Sequence, residues 1–127
     1  MRRFVIETGM GTDLHGADPT RAAARAIESA MRRSTLPLFG GLGIDHAAME
    51  VRVTVAVGDP DGVDCEALAR LLPRGRAVVR AVEGGLDVTD PATGEVALVA
   101  IAAVEAFLDE GRVRDAVAAR RGGAPPA

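Results

Sequence analysis

The sequence contains no lysine, tryptophan or tyrosine, and only one cysteine and three phenylalanines among its 127 residues. Because all 15 basic residues are arginine, the chain offers no amine for a Schiff base or a pyridoxal phosphate linkage, and no Walker A lysine. The single Cys65 excludes an internal disulfide and is typical of a reducing compartment. These absences exclude several classes of cofactor enzyme and any disulfide-stabilised scaffold.

Strong positive charge and long apolar runs are also missing. The formal net charge of −3 argues against a nucleic-acid-binding face. The apolar run near the N-terminus, residues 4–6, is too short for a signal peptide, and no stretch approaches the roughly 20 apolar residues of a membrane span. We therefore expect a cytoplasmic protein that binds neither nucleic acid nor membrane.

The residues that are present alternate between strand and helix patterns. A short strand over residues 4–7, ending at a glycine-rich loop, is followed by a helix over residues 18–33, with Asp18 as its N-cap. The alternating valines of residues 49–57 predict a second strand, and Asp64 caps a short second helix. The pattern predicts one α/β domain over residues 1–121, followed by a flexible tail over residues 122–127.

The second half of the chain predicts antiparallel strands. Residues 76–82 read as a third strand, and residues 90–94 form a hairpin turn. Residues 95–108 fit either a helix or a strand; the preceding turn and the Val and Ile content favour a strand through about Ala102. The expected fold is a single mixed sheet in the order β-α-β-α-β-β.

The core is rich in Ala and Val and poor in large side chains, so burial between subunits would add stability. With few helices, one face of the sheet is covered and the other requires a partner. We therefore expect a homo-oligomer, with a trimer favoured.

The stretch from Glu7 to Gly16 is the predicted functional centre. It contains Gly9, Gly11 and Gly16, which are costly unless the backbone bends tightly or approaches another group closely. It also holds Asp13 and His15, and the chain has only two histidines. Loops that follow strands commonly carry function.

Three kinds of chemistry remain open for this loop. Asp13 and His15 could bind zinc or manganese, with the set completed by Asp45 and His46 or by Glu7. The glycines and the helix N-terminus could bind a small anion, with Arg21 adding charge. His15 could instead transfer protons as an acid–base catalyst, oriented by Asp13 or Glu7. The alternative to all three is a turn cap at Asp13 and a structural His15.

Two further groups have open roles. Glu83, before Gly84 and Gly85, is a candidate acid or ligand contact, or it precedes a simple bend. Three arginines, Arg74, Arg76 and Arg80, supply either anion contacts across a subunit boundary or a solvated strand face.

Residues 9–16 read Gly-Met-Gly-Thr-Asp-Leu-His-Gly, and this motif resembles the signature of a family of conserved hypothetical proteins of bacteria, with extended members in plants. The similarity continues through the Val-rich strand to residues 83–85, and implies a shared fold but no reaction. The Asp-x-His pair is also similar to a metal-binding pair of methylerythritol cyclodiphosphate synthase. The element order is similar to that of Bacillus-type chorismate mutase, which implies a trimeric fold.

These patterns lead to one functional hypothesis and two alternatives. The first is an enzyme of lyase, cyclase or hydrolase type that acts on a small polar or anionic molecule at subunit interfaces. The second is a non-catalytic oligomer that binds a metabolite or anion. The third is a purely structural oligomer in which the loop makes an assembly contact.

Overall fold

The structure, a computed structural model of the chain, describes residues 1–32, 42–72 and 76–122. Its strands are β1 (Arg2–Asp13), β2 (Glu50–Val57), β3 (Arg76–Glu83), β4 (Leu86–Thr89) and β5 (Val96–Leu108). Its helices are α1 (Pro19–Met31), α2 (Cys65–Ala69) and α3 (Glu110–Gly122), with short 3-10 turns at His46–Ala48 and Pro60–Gly62. Beyond Gly122, the predicted tail lies outside the described residues.

The described strands form one mixed sheet, which confirms the predicted fold class. The order is β1-β5-β2-β3; β5 pairs antiparallel with β1 and β2, and β2 pairs parallel with β3. The strand interpretation of residues 95–108 is confirmed, and the strand continues past Ala102 to Leu108. The structure also adds the short strand β4, which pairs with the start of β5.

Helix α1 begins where the sequence predicts. The side chain of Asp18 accepts hydrogen bonds from the amides of Thr20 and Arg21, at 3.0 and 3.3 Å, and Pro19 occupies the first turn. The helix lies against the sheet through a face made of small residues and one Ile. These buried residues are Ala22, Ala23, Ala26, Ile27 and Ala30.

The core lies between the helices and one face of the sheet. Alternating residues of β2 and β5 point into it because side chains alternate along a strand. On β2 the buried positions are Val51, Val53, Val55 and Val57, and on β5 they are Ala100, Ala102, Val104, Ala106 and Leu108.

The opposite face, here called the uncovered face, has no helix over it in the described part of the chain. Direct pairing places Met10, Ile101, Ala56 and Val82 in one row across the four main strands. Large apolar side chains are exposed along this face: Ile6, Met10, Val78, Val82, Leu86, Val88 and Ile101. The expectation that one sheet face is left without cover is therefore met within the single chain.

A helix that spans a membrane must be about 20 residues long and predominantly apolar. None of the described helices has the length and apolar character needed to cross a bilayer.

Candidate functional site

The prediction that the first strand ends at Glu7 is wrong, because β1 continues through Gly9 and Gly11 to Asp13. Gly9 and Gly11 are buried beneath α1. A Cβ atom at Gly9 would lie 2.4 Å from the backbone oxygen of Ala26, and one at Gly11 would lie 2.2 Å from the nitrogen of the same residue. The two glycines therefore let α1 pack closely on the strand, and neither forms part of a loop around a ligand.

Asp13 lies at the end of β1, and only 3% of its surface is exposed. Its Oδ2 accepts a hydrogen bond from the amide of Asp18 at 2.9 Å, and its Oδ1 lies 3.8 Å from Nη1 of Arg25. The Asp18 hydrogen bond is the main cause that lowers the pKa of Asp13, helped by Arg21, the Gly16 amide and Arg25 and opposed by burial. Asp13 is thus an ionised group that ties the end of β1 to the start of α1.

The turn between Asp13 and α1 is tight. Gly16 lies so close to Asp13 that an added Cβ would be 2.9 Å from its Oδ2. The next residue, Ala17, has a φ of +47°, in the left-handed region that residues other than glycine seldom adopt. Strain of this kind is held in place by the surrounding bonds and is common at functional sites.

His15 projects from this turn into solvent. Its side chain is 82% exposed, and its Nδ1 lies 3.8 Å from Oε2 of Glu95, in the turn before β5. The predicted partners, Asp13 and Glu7, do not take this position. Asp13 is bound to backbone amides, and Glu7 lies six residues before Asp13 on β1, roughly 20 Å away at the usual rise of a strand.

Among the described side chains, no three His, Cys, Asp or Glu groups are close enough to hold a metal ion. The carboxylate of Asp13 already accepts the amide of Asp18, whereas the exposed His15 lies beside Glu95. The side chain of His46 lies outside the described residues. A zinc or manganese site at Asp13 and His15 stays a prediction that needs ligands from beyond these groups.

A crevice opens beside the turn, at the carboxyl end of β2. It has a volume of about 120 Å³. Its lining includes Ala17, Pro19, Val57, Asp59, Asp87 and Leu98. We call it the α1 crevice, because the first residues of α1 form one wall.

Two carboxylates give the α1 crevice its chemistry. Asp59 follows the end of β2, and Asp87 lies on β4 with its carboxylate over Gly58, where a Cβ would come within 2.3 Å of Oδ2. Neither residue was singled out from the sequence. Asp59 could have been found, because sites often form beyond the carboxyl ends of strands.

The other residues predicted to contact a ligand do not line the α1 crevice. The first amides of α1 already donate to Asp18, so they are not available to an anion, and Arg21 is exposed. Glu83 is exposed at the end of β3, where Gly84 and Gly85 carry the chain past β2 to β4. Gly85 has a φ of +72°, and an added Cβ would lie 2.3 Å from the carbonyl oxygen of Val99, so the bend interpretation accounts for these glycines.

Comparison with known proteins places this α/β fold in a family. The profile of the Lin0512 family, described as conserved hypothetical proteins, matches residues 3–106. The chain therefore belongs to that family, which confirms the family resemblance suggested by the sequence. The likenesses to chorismate mutase and to the cyclodiphosphate synthase remain predictions.

A solved structure is also similar to the chain. It is the crystal structure of an FtsZ-like protein of unknown function from Nostoc punctiforme, with 36% sequence identity and a TM-score of 0.75. The match covers 86% of this chain and 97% of the other. None of the curated proteins compared with the chain is significantly similar to it.

Proposed function

We propose that the protein is a homo-oligomer that binds a small polar molecule in the α1 crevice. The observation that carries the binding function is the crevice itself. It is a concave site beside a strained Ala17, and the carboxylates of Asp59 and Asp87 line it. Concave sites with a few polar groups are the usual form of small-molecule sites.

The charge of the crevice selects the kind of molecule. Asp59 and Asp87 present hydrogen-bond acceptors, and the amides at the start of α1 are taken by Asp18. A ligand with amino or hydroxyl groups can donate to these carboxylates, whereas an anion would be repelled. We therefore assign the crevice to a small molecule that carries donor groups.

The His15 and Glu95 pair supports a second candidate function, acid–base catalysis. His15 is the only described imidazole, and the carboxylate of Glu95, 3.8 Å away, can orient its ring. Both groups lie close in sequence to residues that line the crevice, Ala17 and Leu98. In this form of the proposal, the crevice holds the substrate and His15 transfers a proton.

The binding proposal is tested by a thermal-shift screen of amino acids, amines and sugars. A compound that raises the melting temperature of the wild type should lose that effect in Asp87→Asn and keep it in Asp61→Asn. Asp61 is a matched control because it is exposed and lies outside the crevice lining. If no compound stabilises the wild type, or if the hits stabilise Asp87→Asn equally, the binding function is wrong.

The compounds that stabilise the wild type can also be used to distinguish binding from catalysis. His15→Ala should fold normally, because the side chain is exposed. If His15 transfers protons, His15→Ala should still bind the compound, while its conversion falls by roughly 10²–10⁴-fold. Unchanged conversion in this variant would leave only the binding function.

The uncovered face supports the oligomeric part of the proposal. Seven large apolar side chains are exposed there, although the helices cover the other face. Contiguous exposed apolar patches commonly mark protein interfaces. A second copy offers the same apolar face, so two copies can bury it against each other, as a two-fold symmetric contact does.

A further inference from the structure

A groove between β5, β2 and β3 lies on the uncovered face, to one side of the apolar row that contains Met10 and Ile101 and toward the start of β2 and β3. Its volume is about 260 Å³. Its side chains are those of Arg52, Thr54, Val78, Arg80, Glu105 and Phe107. We call it the arginine groove, because guanidinium groups from two neighbouring strands line it.

Each of the two guanidinium groups is fixed by a hydrogen bond that its Nε atom donates. Nε of Arg80 donates to Oγ1 of Thr54 at 3.2 Å, and Nε of Arg52 donates to Oε1 of Glu50 at 2.9 Å. The guanidinium of Arg52 also lies over the ring of Phe107, with 4.1 Å between its central carbon and the ring centroid. Among the described residues, neither arginine donates a hydrogen bond from its terminal amino groups, so these remain available to a ligand.

The arginine groove is positively charged in a protein of net charge −3. Glu50 is paired with Arg52, and Glu105 is paired with Arg3 at 3.2 Å. Arg80 has no acidic partner within ion-pair distance in the described part of the chain. Arg52 and Arg3 thus neutralise the two carboxylates, and the positive charge of Arg80 is not neutralised by either of them.

The register brings the two arginines within reach of one small molecule. Arg52 is paired with Val78 and Arg80 with Thr54, so they occupy diagonal positions on neighbouring strands. Diagonal neighbours on one face lie roughly 7–8 Å apart, which long arginine side chains span easily. A single carboxylate, or the two ends of a short dicarboxylate, can therefore contact both guanidinium groups.

We propose that the arginine groove is a second binding site, which takes a small organic carboxylate through Arg52 and Arg80. The planar forks of arginine match the two oxygens of a carboxylate. Val78 and the ring of Phe107 supply apolar walls for the carbon skeleton. The site is separate from the α1 crevice and does not depend on the function proposed there.

The test uses the full chain and succinate as the probe, titrated at low ionic strength and followed by amide chemical shifts. Wild type should bind succinate, with shifts centred on β2 and β3. Arg80→Gln and Arg52→Gln should each weaken binding by roughly tenfold or more, the effect of losing a charge-assisted contact. Arg112→Gln, a change at an exposed arginine on α3, should bind within about twofold of wild type.

Several outcomes would overturn the proposal. These are the absence of succinate binding by wild type, equal binding by Arg80→Gln, and shifts centred away from the groove. Inorganic phosphate is titrated as a second probe, because it carries negative charge without a carbon skeleton. If phosphate binds as tightly as succinate, the groove is a general anion site and the assignment to an organic carboxylate is wrong.

Discussion

Burial of the Asp13 carboxylate requires that protein donors replace the water that it loses on folding. Among the described residues, Asp13 is the only buried polar side chain, and the Asp18 amide and Arg25 meet this requirement. The bond from Asp18 also fixes where α1 starts, since Asp18 is the cap of that helix. One carboxylate thus positions the turn that carries His15 and Ala17.

The lowered pKa of Asp13 predicts how stability changes with pH. Because the pKa in the folded state lies below the ordinary value of 3.8, the contribution of this carboxylate is complete above pH 3.8. It is lost as the pH falls through the lower, folded-state value. Asp13→Asn should therefore melt at a lower temperature than wild type at pH 7, and the gap should narrow below pH 3.8.

Thermal unfolding of both proteins across this pH range checks the prediction, with Asp61→Asn as the exposed control. A gap that stays constant down to the lowest pH would show that the ionised form is not what stabilises the turn. Equal melting temperatures of Asp13→Asn and the wild type at pH 7 would show that Asp13 does not stabilise the fold.

The sequence predicted which residues of this turn are important, but it did not predict all of their roles. Asp18 was predicted as a helix cap from its place before Pro19, and its hydrogen bonds confirm it. The burial of Asp13 could not be predicted, because its donor is an amide five residues away whose direction depends on the turn. The approach of Glu95 to His15 depends on the pairing of β1 with β5, which no local pattern specifies.

At the scale of elements, the contact between α1 and β1 depends on the absence of side chains at two positions. Gly9 and Gly11 face the helix, and the buried alanines opposite them are Ala22, Ala26 and Ala30. Small residues on both sides let the helix backbone lie directly on the strand. Any added methyl group must move the helix or the sheet, and close-packed interiors resist both movements.

Gly11→Ala is therefore expected to lower the free energy of unfolding by roughly 1–3 kcal/mol or more, as overpacking does. The measurement is denaturant unfolding of the purified variant. Gly122→Ala is the matched control, because a Cβ there meets no atom within 4 Å. Equal stability of the two variants would mean that α1 can shift at little cost, and the packing role would be wrong.

The same contact explains why β1 was predicted to be too short. A glycine within a strand and a glycine within a loop look alike locally, and three glycines in eight residues favoured the loop. The distinguishing signal lies elsewhere, in the alanines at every fourth position of α1, which leave space for a close neighbour. In contrast, β2 was predicted well because its alternating valines reflect burial on one face alone.

At the scale of the whole molecule, the proposed homo-oligomer depends on the uncovered face. Fully burying one large apolar side chain contributes roughly 1.5–3 kcal/mol. Six of the seven exposed side chains lie outside the arginine groove, and because each is already partly buried, its further burial contributes roughly half of that value. Summed over two copies, this is comparable to the roughly 4–15 kcal/mol that association costs in lost freedom. We therefore expect the apolar side chains of this face to hold the proposed homo-oligomer together.

The oligomer prediction concerns Met10 and Ile101, which are paired at the centre of this face. Light scattering of the wild type should give a mass several times 13.1 kDa. Met10→Glu combined with Ile101→Glu should reduce the mass to that of the monomer, because buried unpaired charges oppose association. Leu71→Glu should keep the oligomer, since Leu71 is equally exposed but lies outside the sheet.

A wild-type monomer at micromolar concentration would contradict this prediction, and so would a charged double variant that stays oligomeric. Succinate binding to the arginine groove is measured on the same samples. Because all of its residues come from one chain, succinate should still bind the dissociated double variant. The two proposals can therefore fail independently.

The central position of β5 has a consequence for how the chain folds during synthesis. The sheet is built around its last strand, and Arg2 on β1 is paired with Leu108 at the end of β5. At the usual 5–20 residues per second, roughly 5–20 seconds separate the synthesis of these partners. During that time β1, with Ile6 and Met10, has no partner within its own chain, and this is when we expect chaperones to bind the nascent protein.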